Sequence, residues 1–106
     1  MAATETVTTA LEKGLEYLRS RISIEAAYLF GSQVTGETHA DSDIDLAVFS
    51  PDASQMTLDQ RIRLRADLAV DCDSRLELHL YSSRALANAR PSNFAGYIVA
   101  HGKRLI

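Results

Sequence analysis

The sequence predicts an α/β (α+β) domain in which a small β-sheet is layered against helices. Two periodicities predict it. Apolar runs of strand length at residues 25–30, 42–49 and 75–81 alternate with stretches at 9–22 and 57–70, whose apolar residues recur at helical intervals. A chain of 106 residues, 46% apolar and 24% charged, fits one such domain, and no repeat or linker divides it.

Residues 1–8 are polar and rich in Ala and Thr, and are expected as a disordered tail that leaves 9–106 as the domain. Leu11, Leu15, Leu18 and Ile22 then mark one face of a first helix, with Thr9 and Glu12 in capping-box positions. The first strand, 25–30, ends at Gly31, and a short helix over 32–34 is expected before Gly36. A polar loop, 35–42, leads into the second strand, which Ser50 and Pro51 stop. The second long helix opens on another capping box, Thr57 with Gln60, and carries Leu58, Ile62, Ala66 and Ala69 on its apolar face. Arg61, Arg63 and Arg65 cannot share one face at about 100° per residue, so they read as a solvated surface.

Residues 75–81 alternate strictly. Leu76, Leu78 and Leu80 lie on one side, and Arg75, Glu77, His79 and Tyr81 on the other, which makes a third strand with one polar face. A helix follows Ser82 or Ser83 through Ala89. After Pro91, Asn93 caps a last helix over 94–101 with Gly102 as its stop, and 103–106 form a short edge strand.

Composition excludes several classes of function. The net charge of −3 argues against a phosphate-tracking surface, so direct nucleic-acid binding is not expected. A single cysteine, Cys72, makes neither an internal disulfide nor a metal-binding pair. The first nine residues lack both a basic segment and an apolar stretch, so neither a signal peptide nor a membrane span is expected, and a cytoplasmic location follows.

The chemistry is concentrated in residues 26–49. An apolar run ends at Phe30, Gly31 frees the backbone, Ser32 offers a hydroxyl, and Asp43 and Asp45 stand at the head of the next run. On a strand, residues two apart point to one side, so the two carboxylates project together and repel. No Lys or Arg lies between Arg21 and Arg61, which makes a divalent cation with oxygen ligands the natural remedy. Backbone amides after Gly31, with the Ser32 hydroxyl, can hold phosphate oxygens. An EF-hand loop is excluded because Leu46 stands where glycine is needed, and a P-loop because Glu37 and Thr38 follow Gly36.

Gly31-Ser32, ten residues, then Asp43-Ile44-Asp45 form a GSx10DxD motif that resembles the signature of the DNA polymerase β-like nucleotidyltransferase superfamily, most closely its minimal nucleotidyltransferase (MNT) branch of antitoxin type. Residues 75–82 resemble the later strand that brings a third carboxylate, here Glu77, and 98–106 resemble the family's ending of helix, glycine and short strand. The resemblance implies a small mixed sheet flanked by helices. It assigns Asp43, Asp45 and Glu77 as catalytic and metal ligands for two Mg²⁺ ions, with Mn²⁺ as an alternative. Gly31, Ser32 and Ser42 become the nucleotide-binding residues.

The implied reaction transfers AMP from ATP to a hydroxyl, a tyrosine of a helical HEPN-type toxin, making this chain the antitoxin of a toxin-antitoxin pair. Self-association is left open. The alternative is a catalytically weak or inactive module of the same fold that neutralises its partner by occlusion. Two positions depart from the family's pattern: Thr35 replaces a common Arg or Lys, and Glu77 replaces a common Asp. His39 reads as a solvated loop residue, His79 as an ordinary polar-face residue beside Glu77, and His101 as a favourable helix C-terminal group.

Overall fold

A computed structural model describes residues 2–31 and 43–106. Ser32, Thr35, His39 and Ser42, the short helix expected at 32–34 and the loop at 35–42 lie outside the described residues.

Four strands form one mixed sheet in the order β3-β2-β1-β4. β1 (Ala26–Phe30) pairs antiparallel with β2 (Ile44–Ser50), and β2 pairs parallel with β3 (Leu76–Ser82). β4 (Lys103–Arg104) closes the other edge antiparallel to β1. The strands expected from alternation are therefore present, each within a residue or two of its expected bounds.

Helices cover both faces. α1 (Ala2–Arg19) and α2 (Leu58–Asp71) lie on the side of Ile44, Leu46, Val48, Leu76 and Leu78, which form one core with Leu11, Leu18, Leu64 and Leu68. α3 (Ser83–Ala87) and α4 (Phe94–His101) lie on the other side, over Tyr28, Phe30, Ala47 and Phe49, with Ala95 and Ile98 of α4 completing that core. Strand alternation makes this double burial possible: both faces of β2 are apolar between Asp45 near its start and the buried Ser50 at its end. Phe49, Leu46 and Ile98 are fully buried, and each such side chain contributes about 1.5–3 kcal/mol relative to exposure.

The first helix differs from expectation. It spans Ala2–Arg19 rather than starting at Thr9, so residues 2–8 continue the helix instead of forming a tail, and it ends before Ile22. Nothing in 2–8 breaks a helix, and Val7, one turn before Leu11, packs against the same core. The expected cap at Thr9 is thus interior.

The second capping box is formed. The Thr57 hydroxyl accepts from Gln60 N (3.1 Å) and Gln60 Oε1 accepts from Thr57 N (2.9 Å). Asn93 Oδ1 likewise accepts from Gly96 N at 2.8 Å and opens α4. Gly102 ends α4 with φ −78°, a conformation open to any residue. What requires glycine there is close approach: a Cβ would stand 2.6 Å from the Ile98 carbonyl oxygen and 3.1 Å from that of Leu29.

Candidate active site

The site sits where β1 ends and β2 and β3 begin. Register does the positioning. Phe30 lies opposite Asp45 across the antiparallel pair, and Asp45 lies opposite Glu77 across the parallel pair, with Ala47 opposite His79. Residues in register on adjacent strands point to the same side, so Asp45, Glu77 and His79 emerge together on the face that α4 covers farther along.

Gly31 makes room for them. Its φ of +80° is in the left-handed region that side chains disfavour, and a Cβ on it would run into Asp45 Oδ2. Two independent constraints, dihedral and contact, therefore specify glycine here.

Each donor has a partner. Asp45 Oδ1 lies 3.1 Å from His79 Nε2. The Phe30 ring meets the His79 imidazole edge-on, with centroids 5.0 Å apart, and limits its orientation. Arg65 Nη2 reaches across from α2 to donate to Glu77 Oε1 at 2.7 Å. Among the described residues, the donor atoms of Asp45, Glu77 and His79 all lie within 4.8 Å of one another.

Asp43 is placed differently from the expected pair. It is exposed, just ahead of β2, and stands outside that group of donors. Together with Arg65, Arg75 and Glu77 it lines an open groove of about 430 Å³ at the start of β3. Glu77 thus borders both the groove that Asp43 lines and the donor group of Asp45 and His79. Of the expected nucleotide-binding residues, Gly31 is beside Asp45, while Ser32 and Ser42 fall outside the described residues.

Two expectations need correction. The arginines of α2 are not one solvated surface. Arg63 pairs with Asp59 in solvent at 3.1 Å, but Arg61, one turn before Arg65, donates to the carbonyls of Ala53 and Leu80, and Arg65 holds Glu77. Arg61 and Arg65 sit four residues apart and face β3 together. The outward face of β3 is polar only at Glu77 and His79, because Tyr81 stacks on Phe49 with ring centroids 5.4 Å apart. Burial pushes the Tyr81 phenol upward from its ordinary range.

The start of β3 is held by a local knot. Asp73 accepts from Arg75 at its backbone N (2.9 Å), Nε (3.0 Å) and Nη2 (2.9 Å). Hydrogen bonding to the Arg75 guanidinium holds the Asp73 carboxyl below the usual carboxylate range, with burial opposing. Ile44 N donates to the Arg75 carbonyl at 2.8 Å, which sets the parallel register that brings Asp45 beside Glu77.

The family model for Polymerase beta, Nucleotidyltransferase, matches residues 12–106. The chain belongs to this nucleotidyltransferase family. As its motif implied, it is of the MNT type with the polymerase β-like fold. A solved structure described as a toxin-antitoxin with AMP-PNP is 29% identical, with a TM-score of 0.61, and the match covers 90% of this chain and 71% of that one. A putative nucleotidyltransferase from Sulfolobus solfataricus is 18% identical with a TM-score of 0.63, covering 82% of this chain and 79% of its own, and supports the fold. Among curated proteins none matches in sequence.

Nucleotidyltransferases typically use divalent metals, and the residues of this one fit such an ion. Two donors each about 2.1 Å from a cation and at a right angle stand about 3.0 Å apart. Asp45 Oδ1 and His79 Nε2 are 3.1 Å apart. No described helix is long and apolar enough to cross a membrane.

Proposed function

We propose that this nucleotidyltransferase transfers AMP from ATP to a hydroxyl of a separate helical toxin, a tyrosine of a HEPN-type partner, with Mg²⁺ as the working cation. The observation that carries the reading is the convergence of Asp45 and Glu77, in register across β2 and β3, beside the left-handed turn at Gly31. The partner is suggested by the similarity to a toxin-antitoxin structure holding AMP-PNP.

In this reading Asp43, Asp45 and Glu77 hold two cations, which when bound neutralise charge on the triphosphate and acidify the acceptor hydroxyl. Gly31, with Ser32 and Ser42, holds phosphate oxygens through backbone amides and hydroxyls. The acceptor oxygen bonds to the α-phosphorus as the bond to the β-phosphate bridging oxygen breaks, and pyrophosphate leaves. Glu77, on the polar end of an edge strand, takes the acceptor proton. Arg65 pairs with Glu77 at 2.7 Å and offsets the carboxylate's charge until a cation takes its place.

The test is the intact mass of a HEPN-type protein encoded next to this chain, after incubation with the chain, ATP and Mg²⁺. A gain of AMP units that disappears with an Asp43→Ala/Asp45→Ala control, and with Tyr→Phe in the toxin, supports the reading. A stable complex without mass gain refutes transfer and favours neutralisation by occlusion.

A further inference from the structure

We infer that His79 is itself a ligand of the cation held by Asp45 and Glu77, and that its imidazole tilts the site towards transition-metal ions over Mg²⁺. The inference rests on the proposed carboxylate metal site and adds a selectivity that the carboxylates alone would not confer.

Three observations carry it. A ring nitrogen of His79 is one of the three donor atoms that lie within 4.8 Å of one another, close enough for one ion to touch all three. His79 Nε2 makes a 3.1 Å hydrogen-bond contact with Asp45 Oδ1, a length that is also the spacing of two neighbouring ligands on one small divalent ion, so a cation can replace the proton between them without moving either side chain far. The Phe30 ring, with centroids 5.0 Å away, restricts the imidazole's orientation, and that lowers the entropy lost on coordination.

The chemistry sets the direction. Mg²⁺ demands oxygen ligands and gives up water reluctantly, so a nitrogen donor contributes little to holding it. Imidazole suits later first-row ions, for which affinity at a mixed nitrogen and oxygen site rises from Mn²⁺ to Co²⁺ and beyond. The same contact could instead serve only to position Asp45. That role would support every cation alike, and the two are separable by measurement.

The experiment titrates the full chain with Mg²⁺ and with Co²⁺ by calorimetry, as wild type, His79→Gln and Asp45→Asn, with circular dichroism to confirm folding. In parallel, pulsed electron paramagnetic resonance of the Mn²⁺-loaded protein reads directly whether nitrogen binds the ion. The expected result is a nitrogen hyperfine coupling in wild type that His79→Gln removes. That variant should weaken Co²⁺ binding about 10–100-fold, the usual cost of disturbing a metal site's supporting groups, and leave Mg²⁺ affinity unchanged.

A coupling that is absent, or that survives in His79→Gln, overturns the inference. So does equal weakening of Mg²⁺ and Co²⁺, the mark of a purely positional histidine. In either case Asp45→Asn losing all cation binding leaves the carboxylate site standing. Asp45→Asn retaining wild-type affinity would overturn that underlying site as well.

Discussion

Gly31→Ala tests the geometry at the end of β1 through two costs that can be separated. The first is backbone strain: at φ +80° an L side chain costs about 1–2 kcal/mol relative to glycine. The second is the collision of the new Cβ with Asp45 Oδ2, which must push the carboxylate away. Close side chains of this kind couple by about 0.5–3 kcal/mol. In a domain of this size 1 kcal/mol shifts the melting temperature by about 4–8 °C. Gly31→Ala should therefore lower it by about 6–40 °C.

The assay is a double-mutant cycle by thermal and urea unfolding, with Gly31→Ala made in wild type and in Asp45→Ala. In the truncated background the collision is gone and only the dihedral cost remains, so the penalty should shrink towards about 1–2 kcal/mol. An equal penalty in both backgrounds would refute the contact with Asp45. A neutral Gly31→Ala in wild type would refute the left-handed turn.

Two further outcomes follow from the ion pairs. Asp73→Asn should cost about 1 kcal/mol near neutral pH, where the carboxylate accepts from Arg75. Because the folded-state pKa lies below the unfolded value of about 3.9, this stability is complete above that value and lost as the pH falls through the folded one. The melting-temperature gap between variant and wild type should close in acid; a gap constant from neutral to strongly acidic solution contradicts the account. Arg65→Ala should barely alter stability, since the arginine is half exposed, yet it removes the cation beside Glu77. Divalent-cation affinity measured by calorimetry should rise, by less than about tenfold, and a fall would show that Arg65 is needed to hold Glu77 in place.

Much of the architecture was legible because it depends on local pattern. The alternation of Leu76, Leu78 and Leu80, the Thr57 and Gln60 cap, and the Asn93 cap each act within a few residues, and each is formed as read. The start of α1 was not legible. Thr9 and Glu12 make a plausible cap in isolation, but the helix runs about two turns further, back to Ala2, and Val7 packs against the core on the way. Tyr81 follows the same logic: alternation places it on a polar face, while its stacking on Phe49 depends on a neighbouring strand.

The site divides along the same line. Spacing puts Asp43 and Asp45 on one side of a strand and places Gly31 at a turn. It says nothing of which strand lies beside them. The parallel pairing of β2 with β3 sets Glu77 beside Asp45 and brings His79 to Asp45 in the same step. The sequence signal for His79 was its position two residues from Glu77 on one strand face. Arg65 carried no such signal, because its reach to Glu77 exists only once α2 packs against β3.

The central claim, that Asp45 and Glu77 beside Gly31 form a cation-dependent nucleotide site, is tested most directly by calorimetric titration of a non-hydrolysable ATP analogue into the full chain. Wild type, Asp45→Asn and Glu77→Gln are compared with and without Mg²⁺. The account expects binding in wild type that requires the cation and is lost in Asp45→Asn. Equal binding by wild type and Asp45→Asn, or binding indifferent to Mg²⁺, would contradict it.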